Sequence, residues 1–209
     1  MAVGRFIVLE GGEAAGKSTQ ARILAEALGA VLTREPGGTA LGEALRRLLL
    51  GTGLPGDLTA APLGSVPVPV PKAEALMLLA ARAQHVAEVV EPALAQGKDV
   101  VCDRYSGSTL AYQGYGRGLD LAELRAFDGW ATGHRAPDLV VLLDVPVELG
   151  RSRRPGPPDR IEAEGDDFLE RVRAGFQKLA AADPLRWRVV DACGTVDEVA
   201  ARVRAAVGL

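Results

Sequence analysis

The residues Gly11-Gly12-Glu13-Ala14-Ala15-Gly16-Lys17-Ser18 keep the spacing G-x-x-x-x-G-K-[ST], and Thr19 follows. Glycines let such a loop curl until its backbone N–H groups point inward, where they can hold phosphate oxygens. A helix opening beside the lysine adds partial positive charge at its N-terminus. In this pattern Lys17 reaches the β and γ phosphates of a nucleoside triphosphate, and the Ser18 hydroxyl ligates Mg²⁺. The motif implies a nucleoside triphosphate and magnesium but no particular reaction. Guanine recognition through Asn-Lys-x-Asp is excluded, because the chain contains no asparagine. Small phosphate-loop domains with an acceptor site are mostly kinases of small molecules.

A second set of residues is suited to hold the acceptor. In Thr33-Arg34-Glu35-Pro36-Gly37-Gly38-Thr39, Arg34 is placed to hold an anion at a sheet edge. In Asp103-Arg104-Tyr105, Asp103 can sit near Mg²⁺, directly or through water, and Arg104 can clamp a phosphate. The stretch Ser106-Gly107-Ser108-Thr109-Leu110-Ala111-Tyr112-Gln113-Gly114 carries hydroxyl, phenol and amide groups able to read a base edge and a sugar. Arg151, Arg153, Arg154 and Arg160 lie in a polar, proline-broken segment ending at Gly165. On a mobile lid over residues 151–165 they can close over transferring phosphates and neutralise charge. His85 and His134 read as structural, and Cys102 as a small buried hydrophobe.

These groups need a frame, and the hydrophobic pattern supplies one. Short apolar runs at 5–10, 30–33, 99–103, 139–144 and 187–191 predict buried strands. Helical spacing predicts helices over 18–28, 39–50, 73–96 (kinked at Pro92), 105–112, 121–132, 146–152, 167–182 and 196–207. Residues 51–71, rich in Gly and Pro and ending in alternating Val and Pro, read as an extended surface loop. Strands alternating with helices imply an α/β fold, a five-stranded parallel sheet with helices on both faces, and ligands beyond the carboxyl ends of the strands. Those ends are Glu10, Thr33, Asp103, Asp144 and Asp191, so the edge is chemically loaded.

Composition narrows the class further. A chain of 209 residues is expected to form one domain, 1–209, with the lid as its mobile part. The net charge of −3 argues against a general nucleic-acid or anionic-membrane binder. No apolar run approaches the ~20 residues of a membrane span, and the N-terminal residues show no signal-peptide core. Two distant cysteines, Cys102 and Cys193, exclude a disulfide scaffold and a cysteine-rich zinc site, and they suggest a reducing cytosol. On the residues alone three readings stay open: a kinase of a nucleoside monophosphate, a kinase of a free deoxynucleoside, and a phosphate-loop ATPase that binds partners. Arg34 and Arg104 together favour a phosphorylated acceptor.

With these motifs assembled, the chain resembles the thymidylate kinase family across essentially its whole length. The resemblance is carried by the phosphate loop, Thr33 to Thr39, Ala80-Ala81-Arg82-Ala83-Gln84-His85 and Asp103-Arg104-Tyr105 through Tyr112-Gln113-Gly114. It continues through Pro137-Asp138-Leu139, Leu143-Asp144-Val145-Pro146, Asp159-Arg160-Ile161-Glu162 and Asp191-Ala192. It implies a P-loop kinase fold and transfer of the γ-phosphoryl group of ATP to dTMP, giving dTDP, with Mg²⁺, in a cytoplasmic enzyme that is usually a homodimer. It further implies that Glu13 contacts the sugar hydroxyl, Arg34 and Arg104 hold the dTMP phosphate, Arg82 and Gln113 read thymine, and Tyr112 discriminates the sugar. Ser108 and Asp103 are grouped with the substrate residues, and Lys17, Glu13 and Arg104 with the catalytic ones. At Ala14 some members carry a catalytic arginine. Its absence here points to the lid, with Arg153 and Arg160 the preferred pair. Leu78, one turn before Arg82, stands where the family has an aromatic against thymine.

Overall fold

Successive side chains of a strand point to opposite faces, so a strand buried on both sides must be apolar on both. The first strand, β1 (Phe6–Gly11), is buried at every position. Its neighbours are β3 (Val100–Asp103) and β4 (Leu139–Asp144), with β2 (Val31–Arg34) and β5 (Trp187–Asp191) at the edges. The order is β2-β3-β1-β4-β5 and every pairing is parallel. The computed structural model describes residues 4–51, 68–153, 159–161 and 163–209. Most of the expected loop at 51–71, Arg154 and Glu162 lie outside the described residues.

The two faces carry separate cores. Ile7, Leu9, Val101 and Leu143 pack against α1 (Lys17–Leu28) and α9 (Val196–Val207). On the other face Phe6, Val8, Val100 and Cys102 meet Val86, Val90 and Leu94. Leu142 meets Phe168, Val172 and Phe176 of α8 (Asp166–Ala182). Along the chain between α1 and α8 come α2 (Ala40–Leu50), α3 (Pro71–His85), α4 (Glu91–Ala95), α5 (Ser106–Thr109), α6 (Leu121–Thr132) and α7 (Val147–Ser152).

Three expectations need correction. The long helix starts at Pro71, not at residue 73, because proline is pre-shaped for the first helical position, where its missing N–H costs nothing. It does not run unbroken to a kink at Pro92. Residues Val86–Val90 widen into a π-helical turn, and α4 begins at Glu91. Pro92 lacks the donor that an α-helical carbonyl one turn back would use, and the wider winding precedes it. The helix expected over 105–112 is one α-turn, α5, followed by a π-helical stretch, Leu110–Gly116. Gly114 and Gly116 permit the close approach of Leu121 and Phe168 there, where a Cβ would come within 2.4 and 2.7 Å.

Candidate active site

The phosphate loop leaves β1 and enters α1 at Gly16, whose φ of +87° favours glycine. A Cβ at Gly12 or Gly16 would meet nothing within 4 Å, so the hollow they border is open. Ala14 also has positive φ, and Ala15 is buried in the core. The Lys17 ammonium is buried and donates to the Gly12 carbonyl at 2.5 Å. Burial, joined by the Arg104 charge, brings its pKa down to about 8 against the pull of Glu13, Asp103 and Glu10. Thr19 lies in the first turn of α1.

Ser18 Oγ donates to Asp103 Oδ2 at 2.5 Å. The other carboxylate oxygen, Oδ1, is buried without a hydrogen-bond partner among the described residues. A hydroxyl and an orphaned carboxylate oxygen are hard donors that suit Mg²⁺, so these two residues fit the ion. Among the described residues no group of three or more His, Cys, Asp or Glu could hold a metal, so the remaining ligands would be phosphate and water.

Beside this loop opens a cavity of about 670 Å³, counting space open to solvent. Glu13, Leu78, Arg82, Arg104, Ser108, Tyr112 and Gln113 line it, seven of the residues expected there. Ser108 and Tyr112 are four apart, as are Thr109 and Gln113, so the α5 and π-helical turns set all four on one wall. Glu13 Oε1 accepts from Arg104 Nη2 at 2.8 Å and from the Tyr112 hydroxyl at 2.5 Å. Burial alone would raise the Glu13 carboxyl, but Arg104 and Lys17 hold it down at about 2. Arg104 has a φ of +73°, a conformation costing about 1–3 kcal/mol in a non-glycine residue. The turn is held by Arg104 N–H to Leu9 O at 2.9 Å and by the Cys102 thiol to Arg104 O at 3.0 Å. It is held too by Glu10, fully buried, which accepts from the N–H groups of Tyr105 and Ser108 at 3.0 Å and from Ser108 Oγ at 2.6 Å. Burial pushes the Glu10 carboxyl up to about 7.

Arg82 is clamped from behind. Its Nε donates to Glu35 at 2.7 Å and its Nη1 to Asp128 of α6 at 2.6 Å. Burial works against its charge, and these two carboxylates more than offset that. His85 contacts the other Glu35 oxygen at 2.8 Å and Thr33 at 2.7 Å, so it is a fully buried structural residue of this chain of contacts. Sequence reading missed Glu35 and Asp128 as supports. Glu35 lies inside the Thr33–Thr39 motif, whereas Asp128 gave no signal from helical spacing.

Arg34 is half exposed, bonded to both oxygens of Glu43 at 3.1 Å, and is not among the residues lining the cavity. Arg46 does line it, donating to Pro36 O at 3.0 Å. Burial lowers the Arg46 pKa, and the nearby Arg34 and Arg104 charges lower it further. Three guanidiniums that feel one another are suited to an anion. Arg46 was missed, since one arginine of an Arg-Arg pair in an amphipathic helix looks like ordinary surface. Thr109, inside the Ser106–Gly114 motif, also lines the cavity, with its Oγ1 buried and no hydrogen-bond partner among the described residues.

Of the arginines expected on the lid, the three among the described residues, Arg151, Arg153 and Arg160, each have partners. Arg153 donates to Ala192 O at 2.9 Å and to Gly194 O at 3.3 Å. Arg160 donates to Leu49 O at 2.7 Å and lies 2.8 Å from Glu74. Arg151 pairs with Asp166 at 2.9 Å and lines a small pocket with Gly12 and Glu13. Of the acidic strand ends, Asp144 is taken by Arg173 at 2.8 Å, and Asp191 accepts from the Cys193 N–H at 2.8 Å.

The family model described as thymidylate kinase matches residues 9–203. A thymidylate kinase of Synechococcus sp. (strain JA-3-3Ab) is 52% identical over 204 residues, covering 95% of this chain and 92% of that protein. One from Desulforudis audaxviator is 50% identical over 196 residues, covering 90% and 83%. The crystal structure of thymidylate kinase from Ehrlichia chaffeensis superposes with a TM-score of 0.75 at 31% identity, covering 98% of this chain and 99% of that one. A parallel sheet, a phosphate loop and a neighbouring cavity joined to it through one glutamate agree with these matches, and the chain belongs to the thymidylate kinase family, an ATP-dependent dTMP kinase of P-loop α/β fold.

Proposed function

We propose a division of labour for phosphoryl transfer to dTMP in which Lys17 and the loop 11–19 hold the ATP phosphates while Arg104 and Arg34, with Arg46 beside them, hold the acceptor phosphate. Arg82 and Gln113 address the base, Leu78 lies against its face, and Tyr112 and Glu13 address the sugar. Ser108 and Asp103 orient Arg104 and Ser18. The observation that carries this reading is Glu13, a phosphate-loop residue whose carboxylate is held by two groups of the acceptor pocket. The donor and acceptor sides then share one rigid contact, which favours an in-line arrangement.

Phosphoryl transfer has a loose transition state, so positioning and charge neutralisation matter most. A monophosphate oxygen is already ionised and needs no general base. When bound at Ser18 and Asp103, Mg²⁺ supplies positive charge to the phosphates. Residues 151–165 act as the lid, and one of Arg153 and Arg160 leaves its present partner to meet the transferring group. Closure excludes water and suppresses wasteful hydrolysis of ATP.

The enzyme works as a homodimer in the cytoplasm, without nucleic acid or membrane. Exposed Leu76 of α3 and Phe127 and Trp130 of α6 support pairing of two copies, and two free cysteines support a reducing compartment. Among the described residues no helix is long and apolar enough to cross a membrane. A coupled ADP assay against dTMP, dUMP, CMP, AMP and thymidine tests the reading. ADP formation that depends on dTMP is expected, and hydrolysis indifferent to acceptor would overturn it.

A further inference from the structure

Glu74 stands in the first turn of α3, behind the acceptor pocket, and its side chain is as deeply buried as that of Gln113. Gln113 Nε2 donates to Glu74 Oε1 at 2.7 Å. Arg117 donates to both oxygens at 3.3 Å, and Arg160 Nη2 lies 2.8 Å from Oε2. Burial opposes the Glu74 charge, but the hydrogen bonds from Gln113 and Arg117 and the Arg160 guanidinium beside it prevail and lower its pKa. An ionised carboxylate accepts hydrogen bonds and donates none. The amide nitrogen of Gln113 must therefore face Glu74, because turning the amide over would set oxygen against oxygen. The Gln113 carbonyl oxygen is left buried, without a hydrogen-bond partner among the described residues, on a residue that lines the pocket. A buried acceptor in that state favours a ligand that brings a donor to it.

We propose that Glu74 is a specificity-positioning residue: it locks the Gln113 amide with its carbonyl toward the acceptor, so the pocket takes a pyrimidine bearing hydrogen on ring nitrogen N3 and rejects one with a lone pair there. This rests on the reading of Gln113 as a base contact. Thymine and uracil carry N3–H, whereas cytosine presents a bare N3 that would face the carbonyl oxygen lone pair to lone pair. A site built to hydrogen-bond one group rejects the analogue lacking it far more strongly than it rejects a missing methyl. Arg117 and Arg160 keep the carboxylate ionised and hence acceptor-only. Arg117 also donates to Glu164 at 2.5 Å, so the same carboxylate ties residues 160 and 164 to the base-reading amide.

The test compares dTMP, dUMP and dCMP as acceptors for the wild type, Glu74→Gln, Glu74→Asp and Gln113→Leu, with thermal midpoints measured alongside. In Glu74→Gln the neighbour can itself donate, so the Gln113 amide is free to turn over. The dTMP-to-dCMP ratio of kcat/KM is expected to fall at least roughly tenfold, mainly through a higher KM for dTMP. The dTMP-to-dUMP ratio should change less than about twofold, since both bases carry N3–H. Glu74→Asp keeps the charge but shortens the reach; it should move the ratio the same way, and it decides the question if the glutamine variant does not fold. A purely structural role would lower the midpoint and kcat for all three acceptors alike with both ratios unmoved, and that result overturns the proposal. Gln113→Leu separates this from the reading beneath it. If it leaves the dTMP-to-dCMP ratio unchanged, Gln113 does not contact the base and the pocket assignment fails. If it collapses the ratio while the Glu74 variants keep it, only the role of Glu74 fails.

Discussion

Glu13 and Arg104 meet at 2.8 Å, one from the loop after β1 and the other from the turn after β3. The two strands are parallel neighbours with Leu9 opposite Asp103, so their carboxyl ends bring the phosphate loop and the turn after β3 together. The Arg104 guanidinium also lies over the Tyr112 ring, 5.1 Å from its centroid. This contact has a pH signature. The Glu13 carboxyl is held at about 2 against a usual 4.5, so its stabilisation is complete above 4.5 and is lost as pH falls toward 2. Glu13→Gln should cost about 1–3 kcal/mol near neutrality, the cost of leaving a charged partner unmatched. The stability gap between variant and wild type should close on acidification. Denaturant titrations at several pH values check this, and a gap constant down to about pH 3 would refute it.

Lys17→Ala should reduce kcat/KM by roughly 10²-fold or more while leaving the thermal midpoint close to that of the wild type. In the free enzyme the Lys17 pKa is lowered to about 8, first by burial, so near that pH a large share of the molecules lack the proton. Bound phosphate restores it, so ATP binding at pH about 8 should take up protons. Calorimetry in buffers of different ionisation enthalpy measures the uptake, which should vanish in Lys17→Ala.

Arg151, Arg153, Arg154 and Arg160 replaced singly by alanine should include at least one variant whose kcat falls roughly tenfold or more, about 1.4 kcal/mol of barrier. Arg153 and Arg160 are the preferred pair. Arg160→Ala has a second expected effect, because its guanidinium lies against Glu74. Steady-state kinetics at saturating ATP and dTMP distinguish loss of kcat from loss of acceptor binding. Four variants with unchanged kcat would remove the lid from the mechanism.

Leu78 and Arg82 share one face of α3 and both line the pocket. Leu78→Ala should raise the KM for dTMP by an amount equivalent to roughly 1 kcal/mol or more, with kcat little changed. Leu78→Phe should lower that KM if the ring lies flat on the base, since stacking is worth roughly 1–3 kcal/mol. A depressed midpoint with an unmoved KM in both variants would assign Leu78 to packing alone.

Much of this protein was legible in one dimension because its signals are local. The phosphate loop is eight consecutive residues whose glycines and lysine act within one turn, and the five strands are short apolar runs bounded by turn residues. Parallel pairing and a ligand edge at the strand ends follow from strand–helix alternation. The helix breaks were less legible, because whether a helix widens to π winding depends on packing partners such as Phe168 of α8, which a Cβ at Gly116 would meet and which lies far along the chain from it. Least legible were the helical residues that act through another: Asp128 behind Arg82 and Glu74 behind Gln113. A carboxylate in an amphipathic helix reads as a solvated charge until the fold buries it against a donor. Sequence alone determined which chemistry the chain can do, since that resides in side-chain types at fixed spacing. Only the tertiary structure decided which way those side chains are held, because orientation is set by hydrogen bonds between residues brought together from separate strands and helices.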